Sequence, residues 1–184
     1  LGESVVLAEM LPVLPHGERH VDRAREGLRS NMTSVFEGVA LENPFPRDYF
    51  EENAWNQMVL KAIFGGSPLH RIVGLDERAN AQLARMLVDY AHERWSASRS
   101  VTPELWRPVG PYAEGEMIDD LARVLETGEE AERKAAALAL DASPDSASRE
   151  ALAEVPELAE RVASGSLTWA SLVEEHLATG AQAA

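Results

Sequence analysis

Asp89 and His92 stand one helical turn apart, a spacing suited to acid–base chemistry. On a helix they share a face, so the carboxylate can orient the imidazole and select its tautomer, as happens around a general base or a metal ligand. Upstream, His70 and Arg71 lie between the Gly65-Gly66 pair and the next helix, where irregular backbone often places binding groups. Asp76, Arg78 and Asn80 follow closely, and Arg94 and Trp95 come just after His92. If the loop folds over the Asp89–His92 strip, the hollow contains two imidazoles, two or three guanidinium groups, carboxylates and an amide. Such a set grips a carboxylate, a phosphate or a polyhydroxylated ring through charge-assisted hydrogen bonds. No His-Glu-x-x-His, nucleophile elbow, phosphate-binding glycine loop or dinucleotide fingerprint is present, so no metal ligands are assigned and the cofactor is left open.

Each of these residues also has a plainer reading. Asp89 and His92 fit a solvated face, with Asp–His and Arg85–Asp89 pairs worth about 0.2–0.5 kcal/mol each. Asp76 fits a helix cap, with Arg78 solvated. Asn56 and Gln57 sit in an otherwise apolar helix, and a buried amide without partners costs about 1–3 kcal/mol, so one of them must bond a loop backbone, a polar network or a ligand. Trp95, Trp106 and Tyr112 suit a core or a lid, and the same aromatic wall suits a prenyl or sugar ligand. Glu129, Glu130 and Glu132 read as a solvated face.

The elements that must position these groups are helices. Alanine, leucine and glutamate dominate, β-branched residues are sparse, and no alternating apolar run is long enough for a sheet. Helical spacing covers 1–11, 16–31, 31–41, 53–64 and 79–98, the last with Leu83, Leu87, Ala91 and Trp95 inward and Gln82, Arg85, Asp89 and His92 outward. Asp76 is placed to cap that helix, and Thr102-Pro103 starts a shorter one. Pro44 and Pro46 predict an extended turn. After Tyr112 come short amphipathic segments at 115–126, 129–141, 144–153, 156–164 and 167–178, with Ala178 to Ala184 expected to fray. Around Ala135 to Leu140 this rhythm resembles a HEAT-type unit. The expected fold is all-α: a single domain over 1–184 of HEAT-like stacked helical pairs, with a polar core at 53–112 and further helices at 115–178.

Composition narrows the partners. The net charge is −14, with 14 acids against 10 bases in 1–98 and 17 against 7 in 99–184. That field repels phosphate backbones and anionic lipid, so no nucleic acid is expected. There is no cysteine, hence no disulfide and no thiolate chemistry, and no apolar run approaches the roughly 18 residues of a membrane span. A cytoplasmic setting fits, and the oligomeric state is left open.

The central residues also resemble the EboA family. The resemblance rests on Asn53-Ala54-Trp55-Asn56-Gln57-Met58, on Ser67-Pro68-Leu69-His70-Arg71 with Gly74-Leu75-Asp76-Glu77-Arg78, on Asp89-Tyr90-Ala91-His92-Glu93-Arg94-Trp95, and on Pro103-Glu104-Leu105-Trp106-Arg107-Pro108. It extends to Pro15 through Phe36 and to Gly165-Ser166-Leu167-Thr168-Trp169. The resemblance implies a bacterial gene cluster for metabolite synthesis and export, beside a prenyltransferase-like membrane protein, a sugar-phosphate-cyclase-like enzyme, a TatD-like hydrolase and a sugar-isomerase-like protein. It also implies a longer helical N-terminus than the one that begins at Leu1.

Together these readings lead to an accessory or binding protein, leaning non-catalytic. It would hold a small polar, cyclitol-like or prenylated metabolite, or dock a pathway enzyme. The expected lining is Asn56, His70, Arg71, Asp76, Arg78, Asp89, His92 and Arg94, supported by Trp95 and Trp106. An enzyme using Asp89, His92 and His70 on a cyclitol-like substrate is the alternative, and a purely structural scaffold is a third.

Overall fold

Apolar residues recurring at three- and four-residue steps require helices, and the described residues contain helices and turns but no strand. The computed structural model describes residues 2–182. The chain divides into two compact units, Leu1–Arg78 and Ala79–Ala184.

The first unit contains α1 (Gly2–Glu9), α2 (Val21–Arg29), α3 (Thr33–Ala40), α4 (Phe45–Tyr49) and α5 (Glu52–Gly65). Single 3-10 turns lie at Leu11–Val13, Gly17–His20 and Leu69–Arg71. Helix α3 is central and touches α1, α2, α4 and α5. Its Val35, Phe36, Val39 and Ala40 are buried. Gly27 lets α2 approach it, because a Cβ there would lie 2.9 Å from Val39 Cγ2. The buried Asn43 ties the elements together: its Nδ2 donates to the carbonyls of Ala8 (3.1 Å) and Gly38 (2.9 Å), and its Oδ1 accepts from Phe45 N–H (2.9 Å).

The proline segment departs from expectation. Pro44 is the N-cap of α4 and Pro46 lies in its first turn, so the pair starts a helix in place of an extended turn. Proline lacks only an N–H that the first turn leaves unpaired anyway, and its fixed φ suits a helix start.

The second unit contains α6 (Ala81–Ser96), 3-10 turns at Pro103–Trp106 and Gly110–Tyr112, and then α7 (Glu116–Thr127), α8 (Glu130–Ala142), α9 (Ser146–Ala153), α10 (Pro156–Ala163) and α11 (Trp169–Gln182). It begins well before the change of texture at Tyr112, because both 3-10 turns pack against α8. Helix α8 is the hub, meeting α7, α9, α10 and α11 as well, and every residue from Lys134 to Leu140 is buried. Four of these seven are alanines, and a Cβ on Gly110 would lie 2.7 Å from the Ala139 carbonyl oxygen, so small side chains permit this crowding. The succession of α7 with α8 and α9 with α10 is compatible with stacked helical pairs, although the central place of α8 is more than a regular stack requires. Helix α11 continues past Ala178 to Gln182, and the rest of the expected frayed end lies outside the described residues.

Local end signals are only partly as the sequence suggests. Helix α6 is capped by Asn80, whose Oδ1 accepts from Leu83 N–H at 2.9 Å, while Asp76 lies four positions further upstream. Glu129 and Glu132 form a reciprocal capping box on α8, and Glu130 pairs with Lys134 at 2.6 Å, so these acids are not merely a solvated face. Thr102 makes no side-chain cap.

Candidate functional site

In the first unit the expected site residues are engaged by their own neighbourhood. Asn56 is fully buried in α5 and has a partner, whereas Gln57 is exposed. Arg78 Nη1 donates to the carbonyls of Pro46 (2.9 Å) and Arg47 (3.1 Å), and its guanidinium lies 4.9 Å above the Trp55 ring. Burial lowers the Arg78 pKa from its ordinary value, with Glu52 opposing. The side chain therefore holds the end of α4 against α5.

Arg71 Nε donates to Glu42 Oε1 at 2.9 Å, and the Arg71 carbonyl accepts from Glu42 N–H at 2.7 Å. This two-way clasp keeps Glu42 at φ 52°. The Arg71 hydrogen bond and charge hold the Glu42 carboxyl below its usual range, with a smaller effect from His70, and the same bond raises Arg71. His70 is half-buried and Asp76 exposed, each with interactions of its own.

In the second unit α6 presents the faces its periodicity predicts except at Trp95, which was expected inward and is only partly buried. Leu83, Leu87 and Ala91 are fully buried, and Gln82, Arg85, Asp89 and His92 are exposed. The carboxylate that meets the imidazole is not Asp89, however. His92 Nε2 lies 2.6 Å from Oδ2 of Asp120 on α7. With a carboxylate as acceptor, Nε2 carries the donated proton, and the lone pair of neutral imidazole resides on Nδ1. Side-chain exposure is 50% for His92 and 16% for Asp120, so the acid is sheltered while the base stays open to solvent.

Arg123 completes the group. Its Nη2 is 3.6 Å from Asp120 Oδ1, and its guanidinium lies 3.9 Å from the Trp95 ring centroid. Trp95 in turn stacks on Trp106 at 5.8 Å and 26°, with the His92 ring 5.6 Å away. An imidazole, a carboxylate and a guanidinium are thus held on an aromatic support, suited to hydrogen-bonding a hydroxylated or anionic ligand. Arg94, expected beside them, instead donates from Nε to the Ser100 carbonyl at 3.1 Å and closes the turn after α6. Trp106 is fully buried, and its indole Nε1 has no hydrogen-bond partner, so area and ring face explain its place better than its donor does.

Asp120 and Arg123 were not among the residues singled out from the sequence. The signal was present: Asp120 and Arg123 stand three apart on a predicted helix, the spacing of a same-face ion pair. Among the described residues no three His, Asp or Glu side chains are placed to hold a metal ion. No helix of the described residues is long and apolar enough to cross a membrane.

Comparison with known proteins bears on the larger part of the chain. The profile of one family, described as metabolite traffic protein EboA, matches residues 1–110. That span holds every site residue expected from the sequence, but neither Asp120, Arg123 nor the Gly165 to Trp169 segment. No curated protein and no solved structure gives a significant match. With 110 of 184 residues matched, this chain belongs to the EboA family of metabolite traffic proteins.

Proposed function

We propose that this chain is an accessory protein of metabolite synthesis and export that holds a small polar intermediate, cyclitol-like or otherwise hydroxylated, on the His92–Asp120–Arg123 group. The observation that carries the reading is the support beneath that group. Arg123 lies over Trp95, Trp95 stacks with Trp106, and Asp120 is shared by an imidazole and a guanidinium. Side chains oriented before a ligand arrives lose little rotamer freedom when it binds, which favours affinity. The family description agrees with a role in moving metabolites. A cytoplasmic setting belongs to the same proposal.

Native mass spectrometry of the full chain, purified from cells expressing its pathway genes, tests this. The expected result is a retained small-molecule mass that is lost in Arg123→Ala and Asp120→Ala. A wild-type spectrum at the bare chain mass, alongside capture of a pathway enzyme, would replace the reading with docking or scaffolding.

The 2.6 Å His92–Asp120 bond also favours a second reading, an enzyme in which His92 acts as acid–base and Asp120 as its orienting group. Turnover of a cyclitol-like substrate that disappears in His92→Gln but survives Asp89→Asn is its test.

A further inference from the structure

A groove of about 490 Å³ lies in the first unit among α1, α2 and α3. Its volume falls within the roughly 300–1,000 Å³ of small-molecule sites. Leu7, Leu11, Val35 and Val39 form its apolar walls, and Leu7 is 43% exposed. Val6, Met10 and Val13 of the same segment, outside the groove lining, are also exposed by 46–68%.

The polar groups at the rim are unequal. Arg29 is occupied by Glu26 at 3.0 Å, whereas Arg23 has no carboxylate partner among the described residues. An unpaired guanidinium beside an apolar channel, in a chain of net charge −14, is a local exception to the field around it. It attracts an anion, and the walls attract a hydrocarbon. An anionic bilayer offers both chemistries but is repelled by the remainder of the protein, whereas a single small amphiphile carries little charge to repel.

We infer that this groove holds the alkyl chain of a single-chain amphiphile whose carboxylate or phosphate head is seated at Arg23. The inference stands on the first unit alone, and its failure leaves the His92–Asp120–Arg123 reading untouched.

Isothermal titration calorimetry on the full chain, with decanoate, decyl phosphate and decyltrimethylammonium below their micellar concentrations, tests it. Decanoate or decyl phosphate binds at one site, and the stronger of the two identifies the head group. From octanoate to dodecanoate the affinity rises by up to about fourfold per methylene, the fold-change corresponding to about 0.8 kcal/mol per buried CH₂. Arg23→Glu weakens binding at least about tenfold, the order expected for a lost charge-assisted contact, and Leu7→Glu removes it, while His92→Ala leaves it unchanged. Equal or tighter binding of the cationic amphiphile overturns the inference, as does absence of heat with both anions at both about 15 and about 35 °C, since apolar burial is near-athermal at only one temperature. A dimer that Leu7→Glu dissociates, with no decanoate bound, overturns it in favour of self-association. Circular dichroism verifies folding of both variants, and if Leu7→Glu is unfolded, the charge selectivity lost in the exposed Arg23→Glu decides alone.

Discussion

The polar residues of the 67–80 loop and those on the outer face of α6 look equally suited to ligand chemistry in the sequence, yet the fold uses them differently. Arg71 and Arg78 serve the local chain: Arg78 donates to two carbonyls of α4, and Arg71 clasps Glu42, its guanidinium on the carboxylate and its carbonyl on the Glu42 N–H. His92 lies on a helix whose own backbone is already hydrogen-bonded, and it meets another side chain, Asp120. The difference follows from where unsatisfied backbone groups are. Helix ends and loops leave carbonyls that nearby guanidinium groups satisfy, whereas a helix interior leaves none. Polar side chains on a helix face are therefore the better candidates for chemistry, and loop arginines the better candidates for structure.

The largest effect that would sharpen this contrast is in the loop. Arg78→Ala should lower the stability of the chain by about 2–3 kcal/mol, since it takes the guanidinium donor from the Arg47 carbonyl, leaves the Pro46 carbonyl with only Phe50 N–H, and removes a cation from the Trp55 face. Arg78→Lys should recover only part of it, because an ammonium cannot reproduce the planar guanidinium stack. Urea unfolding midpoints measure both, and an unchanged midpoint in Arg78→Ala would undo the structural assignment.

Lys134 on α8 offers an intermediate case, a buried cation on a helix that serves structure. Its side chain is 8% exposed, and Nζ lies 2.6 Å from Glu130 and 2.5 Å from Glu175, so it ties α8 to α11. Lys134→Ala should cost about 1–2 kcal/mol, discounted because both acids are partly or largely exposed. The pH dependence has two edges. Hydrogen bonds from Lys134 lower the Glu130 pKa, so that contribution is present above the unfolded glutamate value of about 4.3 and is lost as pH falls through the folded value. Hydrogen bonds to Glu130 and Glu175 raise the Lys134 pKa, so its contribution is full below about 10.4 and is lost as pH rises through the folded value. Unfolding free energy from urea titrations at a series of pH values should be highest between those edges, with both edges lost in Lys134→Ala. Edges that persist unchanged in Lys134→Ala would remove Lys134 from this role.

A smaller effect is expected at the cluster itself. A double-mutant cycle of His92→Gln with Asp120→Asn should give a coupling of about 0.5–1 kcal/mol, as for a partly exposed pair. The same cycle with Asp89→Asn should give none. Coupling to Asp89 and not to Asp120 would reverse the assignment of the imidazole's partner. Smallest of all, Arg71→Ala should leave the unfolding midpoint unchanged within error, because the Arg71–Glu42 ion pair is exposed. Its backbone half persists without the side chain, which chemical shifts at Glu42 would verify.

Much of the architecture was readable from residue order. The faces of α6 followed from Leu83, Leu87 and Ala91, and the stop of α5 from Gly65-Gly66, where Gly66 adopts φ 76°. Less legible were choices among nearby candidates. Asn80 and Asp76 are both acceptable caps, and the helix begins beside the one adjacent to its first apolar turn. Pro44 and Pro46 admit either an extended turn or a helix start, and the burial of Phe45 within α4 favours the second. Of the site, the sequence identified His92, Trp95 and Trp106 but paired the imidazole with the acid one turn away.

What residue order determined by itself is therefore the helical character, the faces of the helices and the residue types available for chemistry, since these depend on contacts within a few positions and on the 3.6-residue repeat. Only the tertiary structure decided that His92 meets Asp120, 28 positions along the chain, and that Arg123 lies on Trp95. Those contacts arise from how α6 and α7 are placed in space, and no local periodicity encodes that placement.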